Sequence, residues 1–177
     1  MNKLNAKELR ISEPTKSELD KIKRNPVYLV LDRIIDTYNI GSLFRLGDAI
    51  AAEKMYLCGQ MDFPPSSRIH KAAVGTENWV PWEKRDSTLG VVKELKNKGI
   101  QIIAVEQDPR SIHYSQITNH LRFPTAVIAG NETEGLEKEV LDEADLIVEL
   151  PMYGINRSFN VWGSTAVVTY KILESAS

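Results

Sequence analysis

The sequence predicts an α/β fold in which a mostly parallel sheet carries helices on both faces. Short apolar runs typical of buried strands alternate along the 177 residues with longer segments whose apolar residues recur at helical spacing. The strand-like runs are apolar on successive residues, which is typical of strands covered on both faces of a parallel sheet. This alternation of strands and helices predicts one domain of ordinary size.

In the first half of the chain, the segment VYLVLD at residues 27–32 predicts the first buried strand. Residues 41–53 have apolar side chains at helical spacing and predict a helix, and residues 54–59 (KMYLCG) predict the second strand. Taken by themselves, Asn39 suits the N-cap of this helix and Gly41 suits a tight turn. A loop that contains Pro and Ser is expected after the second strand.

The second half of the chain continues this pattern. Residues 87–99 predict a helix, with Ser87 as its N-cap and Gly99 just past its end. The remaining elements are three strands and two helices, which are expected at residues 100–106, 124–130 and 144–150 and at residues 136–144 and 160–174.

Composition limits the function classes. The single cysteine, Cys58, excludes an internal disulfide and a zinc site built from cysteines, and it favours a reducing compartment. No apolar segment resembles a signal peptide or is long enough to cross a bilayer, so a cytoplasmic protein without a membrane partner is expected. The three histidines show no metal-ligand spacing, and no bound metal is expected.

The formal net charge is −2, which by itself does not indicate a nucleic-acid partner. The basic residues are unevenly distributed, because residues 1–26 hold seven Lys or Arg and four Asp or Glu. We interpret residues 1–25 as a short basic N-terminal arm and residues 26–177 as the domain. The arm is expected to be a solvated helical segment, and the alternative is an arm whose cations contact the phosphates of a nucleic acid.

Three loops follow predicted strands, and in a parallel sheet ligands bind beyond the carboxyl ends of the strands. The first loop leads to Asn39 and Arg45. The second, GNETEG at residues 130–135, has glycines at both ends that let a ligand approach the backbone closely, whereas Glu132 and Glu134 would repel a phosphate. The chain also lacks the phosphate-binding patterns GxGxxG and GxxxxGK followed by Ser or Thr.

The third loop, at residues 150–160, places polar residues between two apolar segments. It leads into a final helix that carries no charge until Lys171 and that begins with the small residues 163–166 (GSTA). A helix of this composition is expected to pack on most sides, either against the core of the domain or against another subunit.

These loops carry the patterns N-x-G-x-x-x-R from Asn39 to Arg45, G-N-E-x-x-G at residues 130–135 and L-P-M-x-G-x-x-x-S-F-N-V at residues 150–161. In this order and spacing they closely resemble the three motifs of the SpoU/TrmH-type RNA ribose 2′-O-methyltransferases of the SPOUT superfamily. The resemblance extends from residue 26 to about residue 173.

The resemblance implies the fold and the ligands. Family members knot the C-terminal part of the domain into a deep trefoil, and they bind S-adenosylmethionine among the knotted loops. The resemblance also implies a homodimer in which the helix after Asn160 packs against the partner subunit. The residues whose positions match the cofactor contacts of the family are Ala129, Gly130, Leu150, Met152 and Phe159.

The resemblance further implies transfer of a methyl group to a ribose 2′-hydroxyl of tRNA or rRNA. Arg45 matches the arginine that is assigned the activating role in the family. Because a guanidinium does not normally lose its proton in a protein, two roles remain open for Arg45. It is either an unusual base activated by a substrate phosphate or a clamp on that phosphate that positions and polarises the hydroxyl. The residues that match those acting with this arginine are Asn39, Glu132, Ser158 and Asn160.

Two other functions stay open. One is a SPOUT enzyme that methylates a base nitrogen, and the other is a non-catalytic RNA-binding or assembly factor that keeps the cofactor site. The presence of all five proposed catalytic residues favours an enzyme over the second alternative. The N-x-G-x-x-x-R and S-F-N features favour ribose over a base as the acceptor.

Overall fold

A computed structural model of the chain describes residues 13–175. Its centre is a sheet of seven strands: β1 (Asn25–Asp32), β2 (Ala52–Cys58), β3 (Trp82–Arg85), β4 (Gln101–Val105), β5 (Ile112–His113), β6 (Thr125–Ala129) and β7 (Leu146–Glu149). Their order across the sheet is β3-β2-β1-β6-β4-β7-β5, and all pairings between these described strands are parallel. The predicted α/β fold with a parallel sheet is confirmed.

Helices cover both faces of the sheet. They are α1 (Lys16–Leu19), α2 (Thr37–Ala49), α3 (Ser67–Ala73), α4 (Thr88–Asn97), α5 (Lys138–Glu143) and α6 (Val161–Leu173), with 3₁₀ turns at Thr76–Asn78 and Tyr114–His120. Within residues 13–175, no helix combines the length and the apolar character that crossing a membrane requires.

Side chains on successive strand residues point to opposite faces, so β1 contributes to two hydrophobic clusters. Val27, Leu29 and Leu31 pack on the face covered by α2, α3 and α6. Val30 packs on the face covered by α4 and α5. All four side chains are completely buried, so the apolar run that predicted β1 reflects a strand covered on both sides.

The start of α2 differs from the prediction. The helix begins at Thr37 because Asp36, and not Asn39, is its N-cap: the Asp36 carboxylate accepts from the Tyr38 N–H at 2.8 Å. Gly41 therefore lies within the helix and not in a tight turn. It is small because α3 packs directly on it, and a Cβ at Gly41 would lie 2.5 Å from the Cβ of Ala72.

The ends of α4 agree with the prediction. Ser87 is its N-cap and accepts from the Gly90 N–H at 3.2 Å, and Gly99 follows the helix with a left-handed φ of 75°. The prediction of a loop between the second strand and α4 was wrong in part, because this segment of the chain contains α3 and β3. β3 is an edge strand with the sequence WEKR. Three of its four residues are charged, as is common in edge strands, so it does not form the apolar run that predicted the other strands.

Residues 1–12 of the predicted N-terminal arm lie outside the described residues, which begin at Glu13. Residues 13–24 contain the single turn α1 and contact the domain. Glu13 accepts a hydrogen bond from Asn78 Nδ2 at 2.6 Å, and Arg24 Nη1 donates to the Ala52 carbonyl at 2.9 Å. An RNA contact by the arm stays a prediction.

Candidate functional site

Four loops leave the sheet at one edge, because the carboxyl ends of β1, β6, β4 and β7 lie side by side. They are residues 33–36 after β1, 106–111 after β4, 130–137 after β6 and 150–160 after β7. A cleft of about 800 Å³ opens between them, and we refer to it as the loop cleft. It lies where a parallel sheet is expected to bind a ligand.

The structure brings most of the predicted site residues together at the loop cleft. Arg45 and Ala129 lie outside its lining. The predicted residues that line it are Asn39, Gly130, Glu132, Leu150, Met152, Ser158, Phe159 and Asn160.

A chain of hydrogen bonds connects α2 with two of the loops through Asn39. Its Nδ2 donates to Glu132 Oε1 at 2.8 Å, and its Oδ1 accepts from Asn160 Nδ2 at 3.1 Å. Asn160 is in turn the N-cap of α6, because its Oδ1 accepts from the Trp162 N–H at 3.0 Å. Asn39 is only 4% exposed, so its side chain is suited to orienting Glu132 and Asn160.

Glu132 is held by the loop after β1 as well as by Asn39. Its carboxylate accepts from the backbone N–H groups of Ile35 at 2.8 Å and Asp36 at 3.1 Å. Burial opposes the charge, but the hydrogen bonds from Ile35, Asn39 and Asp36 outweigh it and hold the pKa of Glu132 below its ordinary value of 4.5. A carboxylate with three donors and a lowered pKa is suited to positioning and is a weak general base near pH 7.

Ala129 and Gly130 carry β6 into the loop cleft. Ala129 is the last residue of the strand, is 1% exposed and pairs with Leu31 and Val105 of the neighbouring strands. Gly130 follows where the loop folds back, and a Cβ there would lie 2.8 Å from Leu136 Cγ. Glycine is therefore required at residue 130 by the close return of the loop.

Arg45 lies on the solvent side of α2. It is six residues after Asn39, which corresponds to about 9 Å along the helix axis. Its side chain is exposed and makes no hydrogen bond or ion pair with any residue in 13–175. The guanidinium is therefore open to a substrate that approaches the outer surface of α2.

Phe159 is packed on the first turn of α6. A Cβ at Gly163 would lie 2.7 Å from the Phe159 ring, so only glycine allows this position of the ring. Ser158 precedes it, is exposed and donates its backbone N–H to Asn156 Oδ1 at 3.3 Å. The Ser158 hydroxyl has no hydrogen-bond partner within the described residues and remains available to a ligand.

Arg33 was missed by the sequence reasoning and connects the loop after β1 to the loop after β6. Its guanidinium donates to Asp32 Oδ2 at 3.0 Å and to Glu134 Oε2 at 2.9 Å, and its carbonyl accepts from Asn131 Nδ2 at 2.7 Å. The hydrogen bonds with Asp32 raise the pKa of Arg33. Its backbone has a left-handed φ of 49°, a conformation unfavourable for a residue other than glycine.

Glu106 and Gln107 were also missed, although both line the loop cleft. They directly follow β4, and Glu106 was the last residue of a predicted strand. Their place at the carboxyl end of a parallel strand was the signal available in the sequence. Nothing in their own residue types distinguished them from an ordinary surface turn.

The charge of the loop cleft is uniform. The charged side chains that line it within the described chain are all carboxylates, namely Asp36, Glu106, Glu132, Glu134 and Glu149. Such a lining favours a cationic ligand and disfavours a phosphate. Among residues 13–175, no group of three or more His, Cys, Asp and Glu side chains is arranged to hold a metal ion.

The loops and their order have a counterpart among known proteins. The model of the family described as "SpoU rRNA Methylase family" matches residues 26–170, which is most of the chain. The chain belongs to the SpoU rRNA methylase family. The match contains all the loops of the loop cleft and every predicted site residue from Asn39 to Asn160.

Similar proteins span most of this SpoU family chain. The tRNA (guanosine(18)-2′-O)-methyltransferase of Borreliella burgdorferi is 26% identical over 166 residues, which are 92% of this chain and 74% of the relative. The structure of the A. aeolicus TrmH/SpoU tRNA modifying enzyme is 25% identical with a TM-score of 0.78, and the match covers 96% of this chain and 81% of that one.

A third match shows the same fold. The structure of the AdoMet-bound rRNA methyltransferase from Sinorhizobium meliloti is 24% identical with a TM-score of 0.77. The match covers 94% of this chain and 59% of that chain, so the SpoU chain spans about three fifths of this relative. It therefore corresponds to one part of the longer protein.

Proposed function

We propose that this SpoU family member transfers a methyl group from S-adenosylmethionine to a ribose 2′-hydroxyl of tRNA or rRNA. The observation that carries the proposal is the chain of hydrogen bonds from Glu132 through Asn39 to Asn160. It joins three motifs that are far apart in the sequence at one cleft beyond the strand ends. The B. burgdorferi relative is named for the same reaction on a guanosine of tRNA.

The residues of the loop cleft fit S-adenosylmethionine. Gly130 exposes backbone groups, and Leu150, Met152 and Phe159 supply apolar surface for the uncharged part of the cofactor. The carboxylate lining suits its sulfonium and ammonium charges. When bound, the cofactor supplies an electrophilic methyl group. Ala129 is buried behind Gly130, so its contribution is limited to the backbone at the end of β6.

Arg45 is proposed to act on the substrate. Its exposed guanidinium is available to an RNA phosphate on the outer surface of α2, where it would position and polarise the ribose hydroxyl or, with that phosphate, accept its proton. Asn39 and Glu132 fix the loops, while Asn160 and the Ser158 hydroxyl are near enough to the cofactor site to orient the ribose. Positioning of this kind contributes several kcal/mol, roughly, to such a reaction.

The proposal also includes the trefoil knot, the cytoplasmic location and the metal-free reaction that were expected from the sequence. A trefoil knot in the C-terminal part of the 26–177 domain is proposed from the family match over residues 26–170, since family members have this knot. The expected substrates are cellular RNAs, and the chain has the single free cysteine Cys58, so the proposed enzyme is cytoplasmic. It is also proposed to act without a metal.

A homodimer through α6 is supported by its exposed apolar side chains. Trp162, Val167 and Tyr170 are 40%, 39% and 51% exposed within the single chain. Two of the small residues at the start of α6 already have neighbours within the protomer, because Gly163 is buried and Ser164 lines the loop cleft. The larger apolar residues are therefore the proposed contacts with the partner subunit.

The deciding experiment combines cofactor binding with product analysis. Calorimetric titration in the presence of EDTA should show binding of S-adenosylmethionine or of its demethylated product. Incubation with unmodified tRNA and rRNA pools, digestion to nucleosides and mass spectrometry should then show a ribose-methylated nucleoside. Binding of neither compound by the folded protein would refute the methyltransferase. A base-methylated nucleoside would assign it to base methylation, and binding without transfer would favour an assembly factor.

A further inference from the structure

Two consecutive residues after β4 contact both of the loops that line the proposed cofactor site. Glu106 bonds to the end of the loop at residues 130–137, and Gln107 bonds to the loop at residues 150–160. Neither residue belongs to the three sequence motifs. Their strand, β4, lies in the sheet between β6 and β7, from which the two loops emerge.

Glu106 holds the second motif loop where it returns to the sheet. Its Oε2 accepts from the Leu136 N–H at 3.0 Å, and its Oε1 accepts from the Gln107 N–H at 2.9 Å. The carboxylate also lies against Gly135, where a Cβ would be 2.6 Å from Oε2. The loop is therefore closely packed on the Glu106 side chain.

The side chain of Gln107 holds the third motif loop, at residues 150–160, by a hydrogen bond to the backbone of that loop. Its Nε2 donates to the Arg157 carbonyl at 2.6 Å. In the part of the chain that the structure describes, this is the one hydrogen bond between residues 151–158 and the remaining residues. Tyr153 and Ile155 in this loop are 93% and 103% exposed, so packing does little to fix its position.

We propose that Glu106 and Gln107 form a clasp that sets the distance between the two cofactor loops, and that both are positioning residues. The inference rests on the proposed function, because it assigns these residues to the S-adenosylmethionine site. A loop that is already held in place loses less conformational entropy when a ligand binds. Release of the clasp is therefore expected to weaken cofactor binding without unfolding the domain.

The first test compares two glutamines of the same strand region. Gln107→Met keeps the approximate length of the side chain and removes the donor to Arg157. Gln101→Met is the matched control at the opposite end of β4, where Gln101 donates to the His120 carbonyl at 2.8 Å and accepts from the Arg122 N–H at 2.7 Å. Calorimetry should show about tenfold weaker cofactor binding for Gln107→Met, which corresponds to the loss of one hydrogen bond.

The control should show the opposite pattern. Gln101 is 3% exposed and lies away from the loop cleft, so Gln101→Met should lower the thermal unfolding midpoint and leave cofactor affinity unchanged. Gln107→Met should leave the midpoint within about one degree of the wild type, since residues 151–158 add little to the core. A purely structural role for Gln107 would move the midpoint and the affinity together.

The second test requires no cofactor. Trypsin cleaves after arginine, and the Arg157 carbonyl that Gln107 holds belongs to the bond that would be cut. Limited proteolysis of the unliganded protein should cleave after Arg157 several times faster in Gln107→Met than in the wild type or Gln101→Met. Mass spectrometry of the fragments identifies the site.

The outcomes separate the two proposals. If the wild type binds neither S-adenosylmethionine nor its product, the proposed function fails, and the proteolysis still decides whether Gln107 restrains the loop. If the wild type binds the cofactor, and Gln107→Met neither weakens binding nor accelerates cleavage after Arg157, the clasp is overturned and the proposed function stands.

Discussion

At the scale of single residues, Arg45 lies outside the loop cleft, so its expected role differs from that of the residues proposed to contact the cofactor. Its side chain is exposed, whereas Gly130, Leu150 and Met152 line the cleft. A change at Arg45 should therefore affect the reaction and spare cofactor binding. The two roles left open for Arg45, base and phosphate clamp, both require a group on the substrate side.

We expect Arg45→Ala to abolish methyl transfer while S-adenosylmethionine affinity stays close to that of the wild type. The loss should be about 3–4 kcal/mol of transition-state stabilisation, by analogy with removal of one donor from an oxyanion site. Arg45→Lys should also fail, because one ammonium does not reproduce the guanidinium fork. The measurement is the single-turnover rate on the RNA substrate beside calorimetric affinity.

The control for Arg45 is Lys93→Ala. Lys93 is an exposed cation on α4, which covers the opposite face of the sheet from α2. Substitution of an exposed helix residue costs under about 0.5 kcal/mol of stability. Because Lys93 also lies away from the loop cleft, this variant should retain the full rate of methyl transfer. A near-normal rate for Arg45→Ala would remove Arg45 from the mechanism.

Glu132 gives a prediction about pH. Its pKa in the folded chain lies below 4.5, so its ionised form stabilises the fold. This contribution is fully present above pH 4.5 and is lost as the pH falls through the lowered pKa. The free energy of unfolding should therefore differ most between the wild type and Glu132→Gln near neutral pH. The difference should shrink below pH 4.5 in denaturant titrations, and a difference independent of pH from 7 to about 3 would contradict it.

At the scale of elements, the contact between α2 and α3 sets the position of the first motif. A Cβ at Gly41 would lie 2.7 Å from the Ala73 backbone N and 2.7 Å from the Ile69 carbonyl oxygen. These are backbone atoms of a packed helix, so they do not move aside as a flexible side chain would. The residue at position 41 therefore determines how closely the two helices approach.

Gly41→Ala should destabilise the protein by about 1–3 kcal/mol through overpacking. The matched substitution is Gly90→Ala in α4, where the nearest atom to an added Cβ is Ser87 Cβ at 3.6 Å. There the substitution removes a helix-breaking residue without a clash and should stabilise by up to about 1 kcal/mol. Equilibrium unfolding in urea measures the free energy of unfolding of both variants. Equal effects of the same sign would show that the space between α2 and α3 does not restrict the residue at position 41.

At the scale of the whole molecule, the exposed apolar face of α6 predicts self-association. Tyr170→Glu should weaken the proposed dimer at least about tenfold, because a charge at the centre of an apolar interface is not solvated. Lys93→Glu is the control, since Lys93 is exposed on α4, which covers the face of the sheet opposite to α6. Sedimentation equilibrium at micromolar concentration gives the mass of each variant. A monomeric wild type would contradict the prediction.

The sequence by itself determined the parallel sheet, its covering helices and the sheet edge at which the site lies. Apolar runs, helical spacing and caps such as Ser87 are local signals, and they act over a few neighbouring residues. The motif loops follow strands 27–32, 124–130 and 144–150, so their meeting at one edge followed from the fold class. The family assignment, which rests on the same loops, is confirmed by the match over residues 26–170.

Only the tertiary structure decided what individual polar residues do. Asn39 suited a helix cap on local grounds, but its amide bonds to Glu132 and Asn160, which are 93 and 121 positions away. Asp36 takes the cap, and Gln107 reaches Arg157 across 50 positions. Such partners are chosen by the packing of strands that are distant in sequence, because a side-chain amide has the same local preferences whichever distant group it meets.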